Sequence, residues 1–326
     1  MIQNHEETHL IFGALGQDGS YLSENLSREG KNVFGVVRKS AKTIQKYQGN
    51  NIQYIRGDIL DASFINYVIK LTKPTHVYNL AAMSSVKDTL SNPSLSQKVN
   101  FEFVQSLIQC IENHNQLTHH KTYFLQASSS EMFGPDQLNP LHEKSDHDPR
   151  SPYAQHKSLA HKYCLDIQDS KQVQVGILIL FNHESSRRPL KYVSRKITNT
   201  AYLISKGLQN KLILGNLEIT RDWGYAPDYV KVMQIMGRES IAEDFVVATG
   251  QTHSLTELCA LAFEAFDITN YEKFIYSDKS LFRENESSGL TGDASKLTKK
   301  ISWKPSITFQ DMIKNMALAE TVQAYD

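Results

Sequence analysis

The sequence predicts an α/β fold with a doubly wound parallel sheet, followed by a smaller C-terminal mixed α/β domain. In the first half of the chain, short apolar runs alternate with helix-length amphipathic segments. These runs are apolar on both strand faces, which is typical of parallel strands covered by helices on each side. After Phe181 the alternation loosens, and we therefore place the domain boundary there.

Each strand is predicted from an apolar run. Those of the large sheet lie at 9–12, 32–37, 52–58, 76–82, 123–128 and 173–181. The runs KLILGN, EDFVVATG and KFIYSDK predict isolated strands further on. The predicted domains are a cofactor-binding domain at 1–181, to which part of 216–250 returns, and a mainly substrate-binding domain at 182–326.

Charge and cysteine content limit the classes to which the protein can belong. Lys plus Arg and Asp plus Glu each number 35, which gives a formal net charge of 0. This balance disfavours nucleic-acid and membrane-surface binders, because both need a basic excess. The three cysteines form no C-x-x-C pair, and the N-terminus lacks the basic start and apolar run of a signal peptide. We expect a soluble cytoplasmic protein with reduced cysteines.

The first predicted strand runs into a glycine turn. Gly13, Gly16 and Gly19 have the spacing G-x-x-G-x-x-G and precede a predicted helix from about Asp18 to Arg28. Glycines let a pyrophosphate approach closely, and the helix N-terminus offers N–H groups and a positive dipole end. A tight strand-to-helix turn without a ligand is the alternative.

Charged residues at the ends of the next two strands indicate whether NAD or NADP binds. Arg38 and Lys39 stand where an NAD-binding sheet usually has an acid. An acid would bind the ribose 2′-hydroxyl, whereas a guanidinium favours a 2′-phosphate, so the sequence predicts NADP. Asp58, past the third strand, either meets the adenine edge or belongs to a helix N-cap region.

The segment RSPYAQHK predicts a helix that carries a proton-transfer pair. Ser151 can cap this helix with Pro152 in its first turn, which puts Tyr153 and Lys157 on one face. A phenol has a pKa of about 10, and a nearby ammonium favours the phenolate. Tyr153 would then exchange a hydroxyl proton while hydride moves to or from the nicotinamide. A chance spacing on a solvated helix is the alternative, which the glycine turn disfavours.

A carboxylate stands at the tip of the fifth predicted strand. In QASSSEMFG, Glu131 directly follows three serines. Small hydroxyl side chains suit a packed strand tip, but a carboxylate does not. A chemical role and a solvated loop position both remain open for Glu131.

Seven segments together resemble the GDP-mannose 4,6-dehydratase family of extended short-chain dehydrogenases/reductases. They are GALGQDGSYL, VYNLAAMSSV, QASSSEMFG, PRSPYAQHK, LFNHESSRR, VSRKI and GNLEITRDWGYAPDYV. The resemblance runs from about Leu10 to Pro305 and implies a Rossmann-type domain with bound NADP. It further implies that Tyr153 helps oxidise a GDP-sugar at C4 and that Glu131 removes the C5 proton. Water then leaves from C6, and the same hydride returns there to give a 4-keto-6-deoxy sugar.

The resemblance also implies site residues by position. The catalytic set is Ser129, Glu131, Tyr153 and Lys157. The cofactor contacts are Gly13, Gly16, Gln17, Asp18, Gly19, Arg38, Lys39, Asp58, Ile59, Leu80, Ala81, Ala82, Ser84, Lys157, His183 and Arg188. The nucleotide-sugar contacts are Ser85, Asn182, Val193, Lys196, Arg221, Arg283 and Glu286. Surface ion pairing is the alternative for the charged contacts, Lys196 above all. Asp222 and Trp223 are expected to be packing neighbours of Arg221.

Several positions depart from the family pattern and leave the exact sugar open. Phe12 and Leu15 stand where threonines are usual, and Met83 and Ser85 replace a glutamine and a histidine. The segment RENESSGLTGD also departs from the usual pattern. A GDP-heptose dehydratase is therefore an alternative, as is a nucleotide-sugar 4-reductase or epimerase of the same superfamily.

A sensor protein and a metalloprotein are hypotheses from different classes of protein. A catalytically silent NADP-sensing protein would tolerate loss of the tyrosine and lysine. Six histidines suggest a metal site, but they lack the i, i+4 spacing with an acid, which favours a solvated surface and no metal. These histidines are His119, His120, His142, His147, His156 and His161. We expect a homodimer or homotetramer.

Overall fold

The chain folds into two compact units. The structure is a computed structural model that describes residues 7–40, 52–119, 121–135, 137, 140–282 and 288–323. The first unit comprises Met1–Gly134, Glu143–Leu180 and Val230–Val246. The second comprises Pro135–His142, Phe181–Tyr229 and Val247–Asp326. The segment that returns to the first unit, Val230–Val246, lies within the predicted 216–250, and 135–142 lies in the second unit rather than the first.

A seven-stranded sheet forms the centre of the first unit in the described part of the chain. Its order is β10-β6-β5-β4-β1-β2-β3. The strands are β1 Thr8–Phe12, β2 Asn32–Arg38, β3 Ile52–Gly57, β4 His76–Asn79, β5 Tyr123–Ser129, β6 Gln174–Leu180 and β10 Asp244–Val247. Every pairing from β3 to β6 is parallel. The predicted doubly wound parallel sheet is confirmed.

Helices cover this sheet and bury its apolar side chains. They are α1 Gln17–Arg28, α2 Ala62–Thr72, α3 Val86–Ser91, α4 Pro93–Gln97, α5 Phe103–Thr118 and α6 Pro152–Ser170. A π-helical turn, Lys98–Glu102, joins α4 to α5. Phe12, Phe103 and Phe124 are buried in one core with side chains from α2, α5 and α6. Full burial of each such side chain stabilises the fold by roughly 1.5–3 kcal/mol.

The second unit has small sheets and its own core. One sheet has the order β11-β9-β7, and another pairs β12 with β8. The strands are β7 Asn182–Glu184, β8 Leu212–Leu214, β9 Thr220–Tyr225, β11 Thr252–Ser254 and β12 Ile275–Ser277. The remaining helices are α7 Val193–Ser205, α8 Ala226–Arg238, α9 Leu255–Glu264, α10 Ser295–Ile301 and α11 Phe309–Gln323, and most of α8 belongs to the first unit. The sequence did not predict β7, β9 and β11, because these short runs are largely polar.

Two further observations concern the helices and the cysteines. None of the helices in the described ranges has the length and apolar character that crossing a bilayer requires. All three cysteines lie within the described residues and are free thiols.

Two stacked histidines lie near the start of the parallel strands. His9 on β1 pairs in register with His76 on β4, and their ring centroids are 4.6 Å apart. His9 Nδ1 lies 3.3 Å from the Tyr78 hydroxyl. Burial, and then the neighbouring His76, lowers the pKa of His9 from 6.5 to about 3. Burial also lowers the pKa of His76.

The free energy of unfolding should therefore fall as the pH drops from 6.5 towards 3. In that window the unfolded chain binds a proton at His9 that the folded chain does not, so acid favours unfolding. His9→Phe keeps a ring on His76 but cannot titrate, and its unfolding free energy should fall less steeply with acid. Urea unfolding between about pH 7.5 and about pH 5 measures this slope.

Tyr78→Phe serves as the control, because it removes the hydroxyl near His9 and keeps both imidazoles. It should lower stability by a similar amount at every pH. If the unfolding free energies of wild type and His9→Phe had the same slope with pH, the acid sensitivity could not be assigned to His9.

Candidate active site

The glycine turn is fixed by close backbone approaches. Gly13 has φ of +82°, and a Cβ there would lie 2.8 Å from the backbone of Leu80 and Ala81. A Cβ on Gly19 would lie 2.2 Å from the Gly13 carbonyl oxygen. The turn therefore requires glycine at both positions, and it brings the segment that follows β4 against the start of α1.

The N-terminus of α1 suits an anionic ligand. The helix begins at Gln17, next to the predicted Asp18, and its N-cap residue is Gly16. Gly16 has no side chain with which to accept a capping hydrogen bond from the helix. The first-turn N–H groups and the positive end of the helix dipole together favour a phosphate. The residues present thus fit the pyrophosphate of a dinucleotide.

Arg38 and Asp58 lie at one edge of the sheet. Arg38 ends β2 and pairs in register with Gly57, the residue before Asp58, and both charged side chains are exposed. The Arg56 guanidinium donates to the Lys39 carbonyl oxygen at 3.2 Å and so fixes the backbone after β2. Asp61 caps α2, and Asp58 lies three residues before this cap, where its carbonyl oxygen accepts from the Asp61 N–H at 3.2 Å.

The Asp58 carboxylate accepts a hydrogen bond from the Leu60 N–H at 3.0 Å. Ile59 is half-buried beside it and packs against the core of the first unit. Ser85 accepts a hydrogen bond from Asp88 N–H and caps α3.

The predicted proton-transfer pair lies on α6 and is buried. Ser151 caps this helix by accepting from the Ala154 N–H at 3.1 Å. Tyr153 is 8% exposed and Lys157 is 3% exposed. Lys157 Nζ donates to the Ala127 carbonyl oxygen of β5 at 2.7 Å. Burial lowers the pKa of Lys157 from 10.5 to about 8, so its ammonium persists at neutral pH.

Glu131 lies directly past the end of β5, in a 3₁₀ turn at Ser130–Phe133. Its N–H donates to Ser129 Oγ at 3.3 Å. Asp148 N–H donates to the Met132 carbonyl oxygen at 3.1 Å, which joins this turn to the segment before α6. A half-buried carboxylate, a buried hydroxyl and the Tyr153–Lys157 pair are therefore positioned by connected elements of one unit.

The predicted contacts at 182–188 lie on and after β7. Asn182 pairs with Trp223 and His183 with Gly224 of β9. The His183 ring stacks on Tyr229 with centroids 4.6 Å apart. Its Nδ1 lies 2.7 Å from the Phe181 carbonyl oxygen, so this nitrogen carries the proton.

Arg188 has an acidic and an aromatic neighbour. Its Nε lies 3.3 Å from a Glu184 carboxylate oxygen, and its guanidinium carbon lies 3.9 Å from the centroid of the Tyr192 ring. The planar guanidinium is thus held in one orientation.

Lys196 on α7, whose first residue is Val193, donates from Nζ to the Ile213 carbonyl oxygen at 2.6 Å. This contact is to a backbone carbonyl and not to an acid, and burial lowers the pKa of Lys196. Arg221 on β9 pairs in register with His253 of β11. The predicted contacts Arg283 and Glu286 lie outside the described residues.

Asp222 has a larger role than the sequence indicated. Its buried carboxylate accepts from Thr249 N–H and Gly250 N–H at 2.8 Å each, and from Gly292 N–H at 3.3 Å. The Thr249 hydroxyl donates to it at 2.6 Å. Asp222 therefore ties the strand that carries Arg221 to two other segments. The only sign of this role in the sequence was the position of Asp222 beside Arg221. The Trp223 ring stacks on Phe309.

The expectation of solvated histidines is wrong for part of the set. His156 and His161 on α6 are 8% and 1% exposed, because the helix buries this side against the rest of the unit. No cluster of three or more metal-ligating side chains occurs among the residues described.

The parallel sheet with its glycine turn, and the buried Tyr153–Lys157 pair bonded to β5, define an extended short-chain dehydrogenase/reductase. Two solved structures share this fold. UDP-glucose 4-epimerase of Thermotoga maritima has a TM-score of 0.85 at 20% identity, over 98% of this chain and 100% of that one. dTDP-glucose 4,6-dehydratase of Bacillus anthracis has a TM-score of 0.83 at 18% identity, over 98% of each chain.

The sequence matches a narrower group. Residues 10–316 match the family model described as GDP-mannose 4,6 dehydratase. GDP-mannose 4,6 dehydratase 1 of Arabidopsis thaliana is 36% identical over 94% of this chain and 88% of that protein. The human GDP-mannose 4,6 dehydratase is 32% identical over 95% of this chain and 90% of that protein. The chain belongs to the GDP-mannose 4,6-dehydratase family, and the resemblance predicted from its motifs is confirmed.

Proposed function

We propose that the protein is a nucleotide-sugar 4,6-dehydratase acting on GDP-mannose or a closely related GDP-sugar. The observation that carries this proposal is the position of Glu131, which is fixed through Ser129 and through the link from Met132 to Asp148. A reductase or epimerase needs the tyrosine and the lysine but no such base. The curated relatives support the same reaction and substrate.

NADP is the proposed cofactor. The glycine turn and the start of α1 would hold its pyrophosphate, and Arg38 and Lys39 its 2′-phosphate. When bound, it would accept a hydride from C4 of the sugar and supply it to C6, so that no cofactor is consumed overall.

Tyr153 would take the proton of the C4 hydroxyl. Its phenol needs help to ionise near neutral pH, and the Lys157 ammonium one helical turn away favours the phenolate. The bond from Lys157 Nζ to the Ala127 carbonyl oxygen holds that charge in place. The Ser129 hydroxyl would bond the C4 oxygen or orient Glu131.

Glu131 would act on the next carbon. A ketone at C4 acidifies the C5 proton, which the carboxylate removes. The carboxyl proton then passes to the departing C6 hydroxyl, so that water leaves and the carboxylate is regenerated. In the final step C5 would regain a proton from solvent, and Tyr153 would release the proton that it took from the C4 hydroxyl.

The nucleotide-sugar contacts proposed in the second unit include Arg221 and Lys196, which are half-buried and whose cationic groups suit a diphosphate. Met83 and Ser85 depart from the family pattern next to the expected sugar. GDP-heptose is therefore the main alternative substrate.

The direct test is incubation with GDP-mannose and, separately, GDP-heptose, followed by mass measurement of the product. A dehydratase yields a product lighter by one water without net NADPH consumption. Net NADPH consumption without loss of water would indicate a reductase, and no conversion of any GDP-sugar would favour a cofactor-sensing protein.

Arg38→Ala should weaken NADP binding by roughly tenfold to a hundredfold, because a charge-assisted contact contributes about 1.5–3 kcal/mol. NAD affinity should change little, since NAD has no 2′-phosphate. Titration of both cofactors into wild type and variant measures the effect. Arg28→Ala, which removes an exposed arginine at the end of α1, is the control. Equal NADP and NAD affinities in the wild type would overturn the NADP assignment.

A further inference from the structure

A buried hydrogen-bond network lies beside the proposed catalytic pair and involves none of its members. It links His156, Ser96, Asn100 and Met83. His156 is on α6, Ser96 on α4 and Asn100 in the π-helical turn Lys98–Glu102. The three polar side chains are 8%, 0% and 1% exposed.

Asn100 holds the backbone of Met83 from both sides. Its Oδ1 accepts from the Met83 N–H at 2.9 Å, and its Nδ2 donates to the Met83 carbonyl oxygen at 3.2 Å. The same Nδ2 donates to Ser96 Oγ at 3.1 Å. Both N–H groups of the asparagine amide are thus used, and the bond to Ser96 supports the orientation that the two bonds to Met83 require.

His156 completes the network from the catalytic helix. Its Nδ1 lies 2.9 Å from Ser96 Oγ. Either imidazole tautomer keeps this contact, because a hydroxyl both donates and accepts. Buried hydrogen bonds are directional, and a broken one leaves polar groups unsatisfied, so the network resists displacement of either end.

The network joins the helix that carries the proposed catalytic pair to the Met83 segment, and the proposed reaction requires a fixed distance between these two parts. His156 directly precedes Lys157 and lies three residues from Tyr153 on the same helix. Met83 follows Ala81, which contacts the glycine turn, and precedes Ser85, which caps α3. A π-helical turn is unusual and often marks a functional site.

We infer that His156 is a positioning residue, which through Ser96 and Asn100 fixes the Met83 segment relative to Tyr153 and Lys157. The inference rests on the proposed dehydratase function. Misplacement of reacting groups by about 1 Å can lower a rate on the order of a hundredfold, so the network bears on catalysis without touching the substrate.

Three variants test the inference. His156→Ala and Ser96→Ala should each lower kcat on the order of tenfold to a hundredfold, with a smaller change in KM. The kcat of the double variant should be no lower than that of the less active single variant, because both changes break one network. His156→Asn places a polar atom near the position of Nδ1 and should restore most of the activity.

His161→Ala is the matched control. It removes an imidazole that is 1% exposed on the same helix, and neither of its ring nitrogens has a hydrogen-bond partner among the described residues. Its kcat should stay near the wild-type value even if it lowers the melting temperature.

Hydrogen exchange at the Met83 amide gives a readout that needs no substrate. Exchange should be faster in His156→Ala and Ser96→Ala and unchanged in His161→Ala. If the wild type dehydrates no GDP-sugar but exchange responds in this way, the proposed function fails while the positioning network stands. Wild-type kcat in His156→Ala, or equal losses in His156→Ala and His161→Ala, would overturn the inference.

Discussion

Glu131→Gln should lower the rate of dehydration on the order of a hundredfold to ten-thousandfold while NADP binding and folding remain intact. Glutamine keeps the size of the side chain and some hydrogen bonding, but it cannot take the C5 proton. The hydrogen bond from the Glu131 N–H to Ser129 Oγ does not involve the carboxylate, so the turn should keep its geometry in the variant.

Turnover in deuterated water measures this step directly. Wild-type enzyme should place deuterium at C5 of the product, because that proton exchanges with solvent. The variant should make almost no dehydrated product and incorporate almost no deuterium. Glu239→Gln, at an exposed acid near the end of α8, is the control for loss of one negative charge. Near-normal dehydration by a folded, NADP-binding Glu131→Gln would show that this carboxylate is not the base.

Lys157→Met should lower activity by at least about a hundredfold and leave the protein as stable as the wild type or more so. Burial lowers the pKa of Lys157 from 10.5 to about 8, so between these values the unfolded chain binds a proton that the folded chain does not. The folded state therefore bears the cost of the buried charge below about pH 8, and that cost is relieved as the pH rises towards 10.5.

Methionine removes this cost, which is on the order of 3 kcal/mol at neutral pH. The hydrogen bond that is lost is worth only about 0.5–1.5 kcal/mol. The Ala127 carbonyl oxygen still accepts from Gln126 Nε2 at 2.8 Å, so it is not left without a partner.

Melting temperature and dehydration rate, measured on the same preparation, test both halves of this expectation. Lys162→Met alters an exposed lysine on the same helix and should change neither quantity. A large loss of stability with activity retained would make Lys157 a structural residue.

Much of the fold was predictable because the signals were local. Apolar runs predicted six strands of the large sheet, since a buried parallel strand needs apolar residues on both faces. The helix that carries Tyr153 was predictable from Ser151 and Pro152, because capping depends on neighbours in sequence. β9 was missed because its run TRDWGY shows no apolar alternation.

The sequence by itself determined the family, the glycine spacing of the turn, and the shared helix face of Tyr153 and Lys157, because these follow from motif and helical period. Only the tertiary structure decided which polar groups are buried and what they meet. The lowered pKa of Lys157, the four donors around Asp222 and the link from His156 through Ser96 to Asn100 belong to this second kind. Burial and long-range hydrogen bonds depend on which distant segments pack together, and no local pattern records that.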